Sequence, residues 1–259
     1  MHNSPIQIGR ILIAAATSLV LGVTGASFTF PSRHPVSPER PPVSPGPPPR
    51  GTGGSHSPDR LELLAVALPS SADPNVTDSV TNARGRSWGL RPVTINTAAV
   101  GTAGCDGCNA NAEAVHLITV DWGRTVHSDN VAEAQATGAS ADADALSIQV
   151  VLARRARTVV ANNHASASTV NCTGCNSAAL AVQVVIVGAR REPSAKTREQ
   201  LDELKTTAEQ MLRQTAQPQA RGVDPQQTGN DLASKITKVV TSDVGGSVQQ
   251  QQVSIDIQR

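Results

Sequence analysis

Four cysteines, set out as Cys105-Asp106-Gly107-Cys108 and Cys172-Thr173-Gly174-Cys175, are the side chains of this 259-residue chain whose type and spacing could carry chemistry. Three chemistries fit two CxxC pairs. The favoured one is a disulfide inside each pair, Cys105 with Cys108 and Cys172 with Cys175. Such a small ring gains little loop entropy but stiffens the tip that carries it. The second is a four-thiolate zinc site at Cys105, Cys108, Cys172 and Cys175. Paired CxxC motifs with that role usually stand ~15–20 residues apart, whereas residues 109–171 separate these. If the intervening chain forms a meander of hairpins, the two tips lie about four strands, or roughly 19 Å, apart; every zinc thiolate must lie within ~2.3 Å of the metal. The third is thiol redox chemistry, which needs a helix N-terminus to lower a thiol pKa. No helix is expected after either pair.

Nothing else converges on catalysis. His116 falls at the same repeat position as Gln149 and Gln183, and His127 at that of Thr94 and Val160, so both read as strand positions. Asp142 and Asp144 alternate on one strand face, as solvent-facing residues do. No HExxH, GxSxG, P-loop or GxGxxG occurs in its proper context. No catalytic residue and no cofactor is assigned.

The cysteines are carried by a repeat spanning residues 91–190, in units 91–123, 124–156 and 157–190. Each opens alike, with Arg91-Pro92-Val93, Arg124-Thr125-Val126 and Arg157-Thr158-Val159, and Asn96, Asp129 and Asn162 follow at one position. An Ala- and Ser-rich arm, a turn and an apolar run complete each unit. The apolar runs align as Val115-His116-Leu117-Ile118, Ile148-Gln149-Val150-Val151 and Val182-Gln183-Val184-Val185. The third unit carries one extra residue between its Asn and its apolar end. A fixed period over three copies means that each unit buries its apolar face against its neighbours. The period-2 pattern, with Leu180, Val182, Val184 and Ile186 on one parity, makes each unit strand, turn, strand. Both parities are apolar, which suits a strand covered on two faces. The small residues of arms such as His164-Ala165-Ser166-Ala167-Ser168 would let another layer approach closely. The fold class is therefore mainly β: three ~33-residue β-hairpin repeats, meander or solenoid-like. Ala132–Ala145, though Ala-rich, is read as β. The middle unit has Gly138 and Ala141 where the first has its cysteines. Glycine before the second Cys gives the turn its permissive backbone.

Residues 1–30 read as a signal peptide or an N-terminal membrane anchor. Arg10 precedes an uncharged stretch, Ile11 to Phe30, and Thr24, Gly25 and Ala26 allow cleavage after Gly25 or Ala26. Left uncleaved, Ile11 to Phe30 is just long enough to span a bilayer of ~30 Å. Residues 31–60 form a Pro-rich, disordered linker holding ten of the 17 prolines; extended, it reaches ~90 Å. Export also suits oxidised cysteines. The expected location is extracytoplasmic, secreted or anchored to the plasma membrane. Net charge is +1, which gives no electrostatic case for nucleic acid.

Residues 61–90 form a lead-in: Leu61–Leu68 is a first strand or a short helix, and Ser70–Ser87 is expected as loop. The tail, 191–259, is mainly helical. Pro193-Ser194 opens an amphipathic helix to about Thr215, with Thr197 and Gln200 spaced as a capping box. Its apolar stripe is Leu201, Leu204, Ala208, Met211 and Leu212. Gln217–Asn230 reads as linker and Asp231–Thr241 as a second short helix broken by Gly245-Gly246. Val253, Ile255 and Ile257 then alternate as a final strand.

Asn163-His164-Ala165-Ser166-Ala167, Cys172-Thr173-Gly174-Cys175, Ala181-Val182-Gln183-Val184-Val185 and the helix from Ser194 together resemble an uncharacterised exported actinobacterial CxxC-hairpin repeat family. Similar segments are appended to peptide zinc metalloprotease-like membrane proteins. The resemblance covers about Asn96 to Ala216 and departs at the middle copy, which lacks cysteines. It implies an extracytoplasmic module linked to peptide processing, without an activity of its own. The reading that follows is an exported, non-enzymatic module for protein binding or self-association. Its alternatives are a metal-binding or thiol-redox protein and an accessory to a membrane peptidase.

Overall fold

The computed structural model describes residues 59–88, 92–216 and 224–258. The export segment and nearly all of the Pro-rich linker lie outside them. The elements run β1 (Asp59–Ala67), β2 (Asn75–Trp88), β3 (Val93–Ala103), β4 (Asn109–Ala139), β5 (Asp142–Ala153), β6 (Ala156–Thr173), β7 (Asn176–Val187), α1 (Ala195–Ala216), α2 (Pro225–Val244) and β8 (Ser247–Gln258).

The chain winds as a β-solenoid. One sheet holds β1, β3, the second half of β4 and β6; the other holds β2, the first half of β4, β5, β7 and β8. All pairs but β7–β8 are parallel. The two strands of a unit therefore do not pair with each other as a hairpin does. They face one another across the core as an arch, and each bonds to its counterpart in the next coil. Alternation on both strands with a constant step favours this outcome, because every repeat position then stacks on itself. Val93 meets Val126 and Val126 meets Val159, while Ile148 meets Val182.

The lead-in completes a further coil. Leu61 pairs with Ile95 and Asn75 with Asn109, a step of 34 residues. The expectation of loop over Ser70–Ser87 is thus corrected: residues 75–88 are strand. Their Val-Thr alternation is weak, and much of their order comes from the parallel ladder offered by β4, which a propensity reading does not see. Leu61–Leu68 resolves as strand rather than helix. The extra residue of the third unit is Asn171. It sits where the β4–β6 register shifts and takes a left-handed backbone, φ 50°.

Small side chains fill the space between the sheets near the cysteine turns. Ala65, Ala99, Ala110, Ala112, Ala132, Ala134, Ala143, Ala145, Ala165 and Ala179 are all buried there. The approach is close enough that a Cβ on Gly101 would lie 2.6 Å from the Asp144 carbonyl oxygen. Larger residues, Val93, Ile95, Ile118, Val126, Val151 and Val185, pack the opposite end. The other face of β5 and β7, with Leu146, Ile148, Val150, Leu180, Val182 and Ile186, is covered by Leu201, Ala208 and Leu212 of α1 and Leu232, Ile236 and Val240 of α2. These strands are buried on both faces, as their continuous apolar runs require.

Two helix boundaries differ from expectation. Ser194, rather than Thr197, caps α1: its Oγ accepts from the Thr197 amide at 3.2 Å, and the Thr197 hydroxyl donates to Asp243 at 2.6 Å. Helix α2 begins at Pro225, inside the stretch read as linker. Asp224 accepts from the Gln226 and Gln227 amides, and proline at the first helical position has no N–H to lose. At its end Gly245 and Gly246 have φ of 67° and 94°. A Cβ on Gly246 would meet the Val187 carbonyl oxygen at 2.6 Å, so the turn into β8 admits only glycine.

Candidate functional site

The cysteine turns stack on one side of the solenoid. The structure joins Cys105 to Cys108, with Cα atoms 5.3 Å apart, and Cys172 to Cys175, at 5.8 Å. In both turns the glycine before the second cysteine is left-handed: Gly107 has φ 68° and Gly174 φ 67°. The middle turn lies between them and bonds to both neighbours. Asp106 accepts from the Ala139 amide at 2.7 Å, the Gly107 amide donates to the Ala139 carbonyl at 2.8 Å, and the Ser140 amide donates to the Thr173 carbonyl at 2.9 Å. Gly138 stands where a third pair would begin. A Cβ there would lie 3.1 Å from the Cys105 carbonyl carbon, and its φ of 104° excludes an ordinary side chain in any case. The missing middle pair thus has a steric cause.

Coil stacking shortens the separation that a meander implied. The two Cys pairs are two coils apart, ~10 Å at ~4.8 Å per strand, with the Gly138–Ala141 turn between them. Among the described residues no group of three or more His, Cys, Asp or Glu side chains is arranged to hold a metal ion.

His116 points into the core, where it begins a polar ladder that the repeat alignment placed in register but did not recognise as a network. Its Nδ1 is 2.9 Å from the Thr97 hydroxyl. Gln149, one coil on, donates to Thr97 at 2.9 Å and to the Asp129 carbonyl at 3.0 Å, and accepts from the Ser128 hydroxyl. Gln183, another coil on, donates to the Gln149 carbonyl oxygen at 2.7 Å. Beside it Asn130 bonds to the Ser147 and Val182 carbonyls and to Asn163. Two atoms of the ladder are buried without a partner, the Gln183 Oε1 and the His116 Nε2, and burial pushes the His116 pKa down to about 4. Amide and hydroxyl chains of this kind hold the coils in register. His127 lies on the exposed face of β4.

Sequence reasoning missed a second cluster, where α1 crosses β4. Lys205 reaches Glu113 at 2.7 Å and Glu209 at 3.0 Å, and donates to Ser79 at 2.7 Å. Burial pushes Glu113 up, but hydrogen bonds from Lys205, Glu209 and Asn111 outweigh it and hold its carboxyl below the ordinary range. Burial and the hydrogen bond with Glu113 push Glu209 up. Burial opposes the charge of Lys205, but its two carboxylate partners raise its pKa overall. Asp144 is pushed up to about 7 by burial, with Asp142 and Glu113 adding to the rise and Arg213 opposing it. It is half-buried beneath the helix rather than solvent-facing as its alternation suggested. The signal that was available is the run Lys205, Glu209, Arg213 at i, i+4 spacing along α1. The cluster clasps the helix to the sheet.

The two ends of the solenoid differ. At one end β8 pairs antiparallel with β7, and its side chains also cap the edge of β6. Ser254 accepts from the Ala165 amide at 3.0 Å, Asp256 accepts from the Ala167 amide at 2.9 Å, and Gln250 donates to the Ala161 carbonyl at 3.2 Å. At the other end, among the described residues, no strand pairs with the outer edges of β1 and β2. One amide there is capped: Val66 donates to Asp78 at 2.7 Å. Since N–H directions alternate along a strand, Arg60, Glu62 and Leu64 also turn their amides to the open side. No family model, curated protein or solved structure matches this chain.

Proposed function

We propose that the protein is an exported, non-enzymatic cell-envelope or extracellular β-repeat module that binds protein through the open edge of its first coil. The observation that carries this reading is the asymmetry of the ends. One edge is covered by β8 and capped by its side chains, while among the described residues no strand pairs with the outer edges of β1 and β2, where Val66 alone is capped, by Asp78. Unpaired edges are templates for strand addition. A second copy related by a two-fold axis meets β1 and β2 together with antiparallel strands, which a single added strand cannot do. That favours self-association at this face. Capping at the other end limits the assembly to pairs and blocks growth into a filament.

The two cysteine pairs, oxidised after export, stiffen the turns that hold the coils in register. Residues 1–30 deliver the chain across the membrane, and the proline-rich linker sets the solenoid away from it. No helix among the described residues is long and apolar enough to cross a membrane. The resemblance to segments appended to metalloprotease-like membrane proteins supports a membrane peptidase as the setting in which the module works.

Sedimentation velocity of the exported chain across a wide concentration range tests the reading. Wild-type protein is expected to shift from monomer to dimer. Leu64→Pro, which removes an outward amide and leaves the β1–β3 ladder intact, is expected to stay monomeric with unchanged thermal stability. A wild type that stays monomeric, or a dimer indifferent to Leu64→Pro, refutes it. Intact mass with and without alkylation separates the thiol-redox and metal alternative, which requires reduced Cys105, Cys108, Cys172 and Cys175.

A further inference from the structure

Opposite the cysteine turns, the chain passes from one sheet to the other at corners rich in arginine. Corner residues Trp122, Gly123 and Arg124 and, one coil on, Arg155, Ala156 and Arg157 line an open cleft of about 570 Å3. Gly123 pairs with Ala156 and Thr125 with Thr158. Arg124 and Arg157 are therefore stacked one coil apart, at ~4.8 Å. Arg155 occupies the repeat position of Trp122 and lies over its ring, 5.4 Å from the centroid. Arg124, Arg155 and Arg157 are exposed, and among the described residues none has a carboxylate partner. The nearby Arg154 differs: it is engaged with Asp121 at 2.9 Å and with the Ala189 and Arg190 carbonyls.

We propose that this corner is a binding site for a phosphate group. Three guanidiniums held around one cleft repel each other, and an anion between them relieves that repulsion. Their planar forks match the oxygens of phosphate or carboxylate. A phosphate monoester carries about two negative charges and three acceptor oxygens, and a diphosphate more of both, so either balances three arginines better than one carboxylate does. The cleft is larger than a phosphate alone, and the 42% exposed Trp122 offers a surface for the organic part of the ligand. That phosphate can come from a soluble phosphoester or from an anionic lipid headgroup. The fixed spacing of Arg124 and Arg157 comes from the repeat, so the site exists only because two coils stack in register.

The chain has two tryptophans and no tyrosine, so its emission reports on Trp88 and Trp122. The test titrates the full exported chain with inorganic pyrophosphate, following tryptophan emission and heat, and in parallel measures sedimentation with vesicles of phosphatidic acid in phosphatidylcholine. A saturable response is expected in at least one arm, weakened at least tenfold in Arg124→Gln/Arg157→Gln with unchanged melting temperature. Trp122→Phe should lose most of the emission change while heat still reports binding. Binding to pyrophosphate alone assigns a soluble phosphoester, and binding to vesicles alone assigns a lipid headgroup. Absence of binding in both arms, or binding indifferent to the double arginine substitution, overturns the proposal.

Discussion

His116→Gln replaces the titratable member of the inter-sheet ladder by the residue that serves in the next two coils. In the wild type His116 makes one hydrogen bond, to Thr97, and leaves Nε2 buried and unpaired. A glutamine at this position can accept from the Thr97 hydroxyl as Gln149 accepts from that of Ser128, and the imidazole nitrogen that is buried without a partner is gone. That should stabilise the neutral protein by about 1 kcal/mol. The larger effect is in pH dependence. Burial lowers the His116 pKa to about 4 from 6.5. Between those values the unfolded chain binds the extra proton and the fold does not, so the stability held at neutral pH is lost as pH falls from about 6.5 towards 4. A shift of that size corresponds to about 3 kcal/mol for a fully buried ring. Glutamine has no such titration. Urea denaturation of both proteins at pH 7.5, 5.5 and 4 should therefore show His116→Gln ahead by a margin that widens on acidification to about 4 kcal/mol, with equal slopes in denaturant. Every other titrating group is common to both proteins and cancels in the difference. A margin that stays constant with pH, or a glutamine variant less stable at pH 7.5, would refute the ladder argument.

Asp144 titrates in the opposite sense. Its folded pKa of about 7, against 3.8, means that its stability contribution is full below about pH 4 and is lost as pH rises to 7. Asp144→Asn should match wild type at pH 4 and exceed it at pH 8 by roughly 2 kcal/mol, the full shift being halved for a half-buried group; melting temperatures at the two pH values read this out. Ser140 holds a left-handed backbone, φ 53°, at the turn position that Gly107 and Gly174 fill in the neighbouring coils. Ser140→Gly should gain about 1 kcal/mol by urea denaturation. Replacing Cys105 and Cys108 together by alanine should cost about 2 kcal/mol, the chain-entropy value for a four-residue ring, and leave the circular dichroism unchanged.

Much of the architecture was legible because the repeat is regular. The alignment of His116, Gln149 and Gln183, of Asn96, Asp129 and Asn162, and of Thr94, His127 and Val160 is the observed parallel register. The two parities of β7 face the helices and the alanine core as its pattern required. Pairing direction was harder to read, since strand–turn–strand patterning is the same for a hairpin and an arch; the difference lies in long-range stacking. β2 was missed because an edge strand with polar alternation carries little local signal. The ladder was missed because partners such as Thr97 and Gln149 are far apart in sequence and meet only across the two sheets. The clasp at Lys205 likewise requires knowing which face of α1 meets β4. The arginine corner was visible as a repeated first residue, but its clustering depends on coil stacking.

The most direct test of the open-edge account is hydrogen exchange on the full exported chain, dilute and concentrated. The account predicts that the outward amides of Arg60, Glu62 and Leu64, and the outward amides of β2, exchange fast when dilute and gain protection on concentration, while those of β6 beneath β8 are protected in both. Edge amides that exchange equally fast in both conditions, or new protection confined to α1, α2 or the arginine corner, would contradict it.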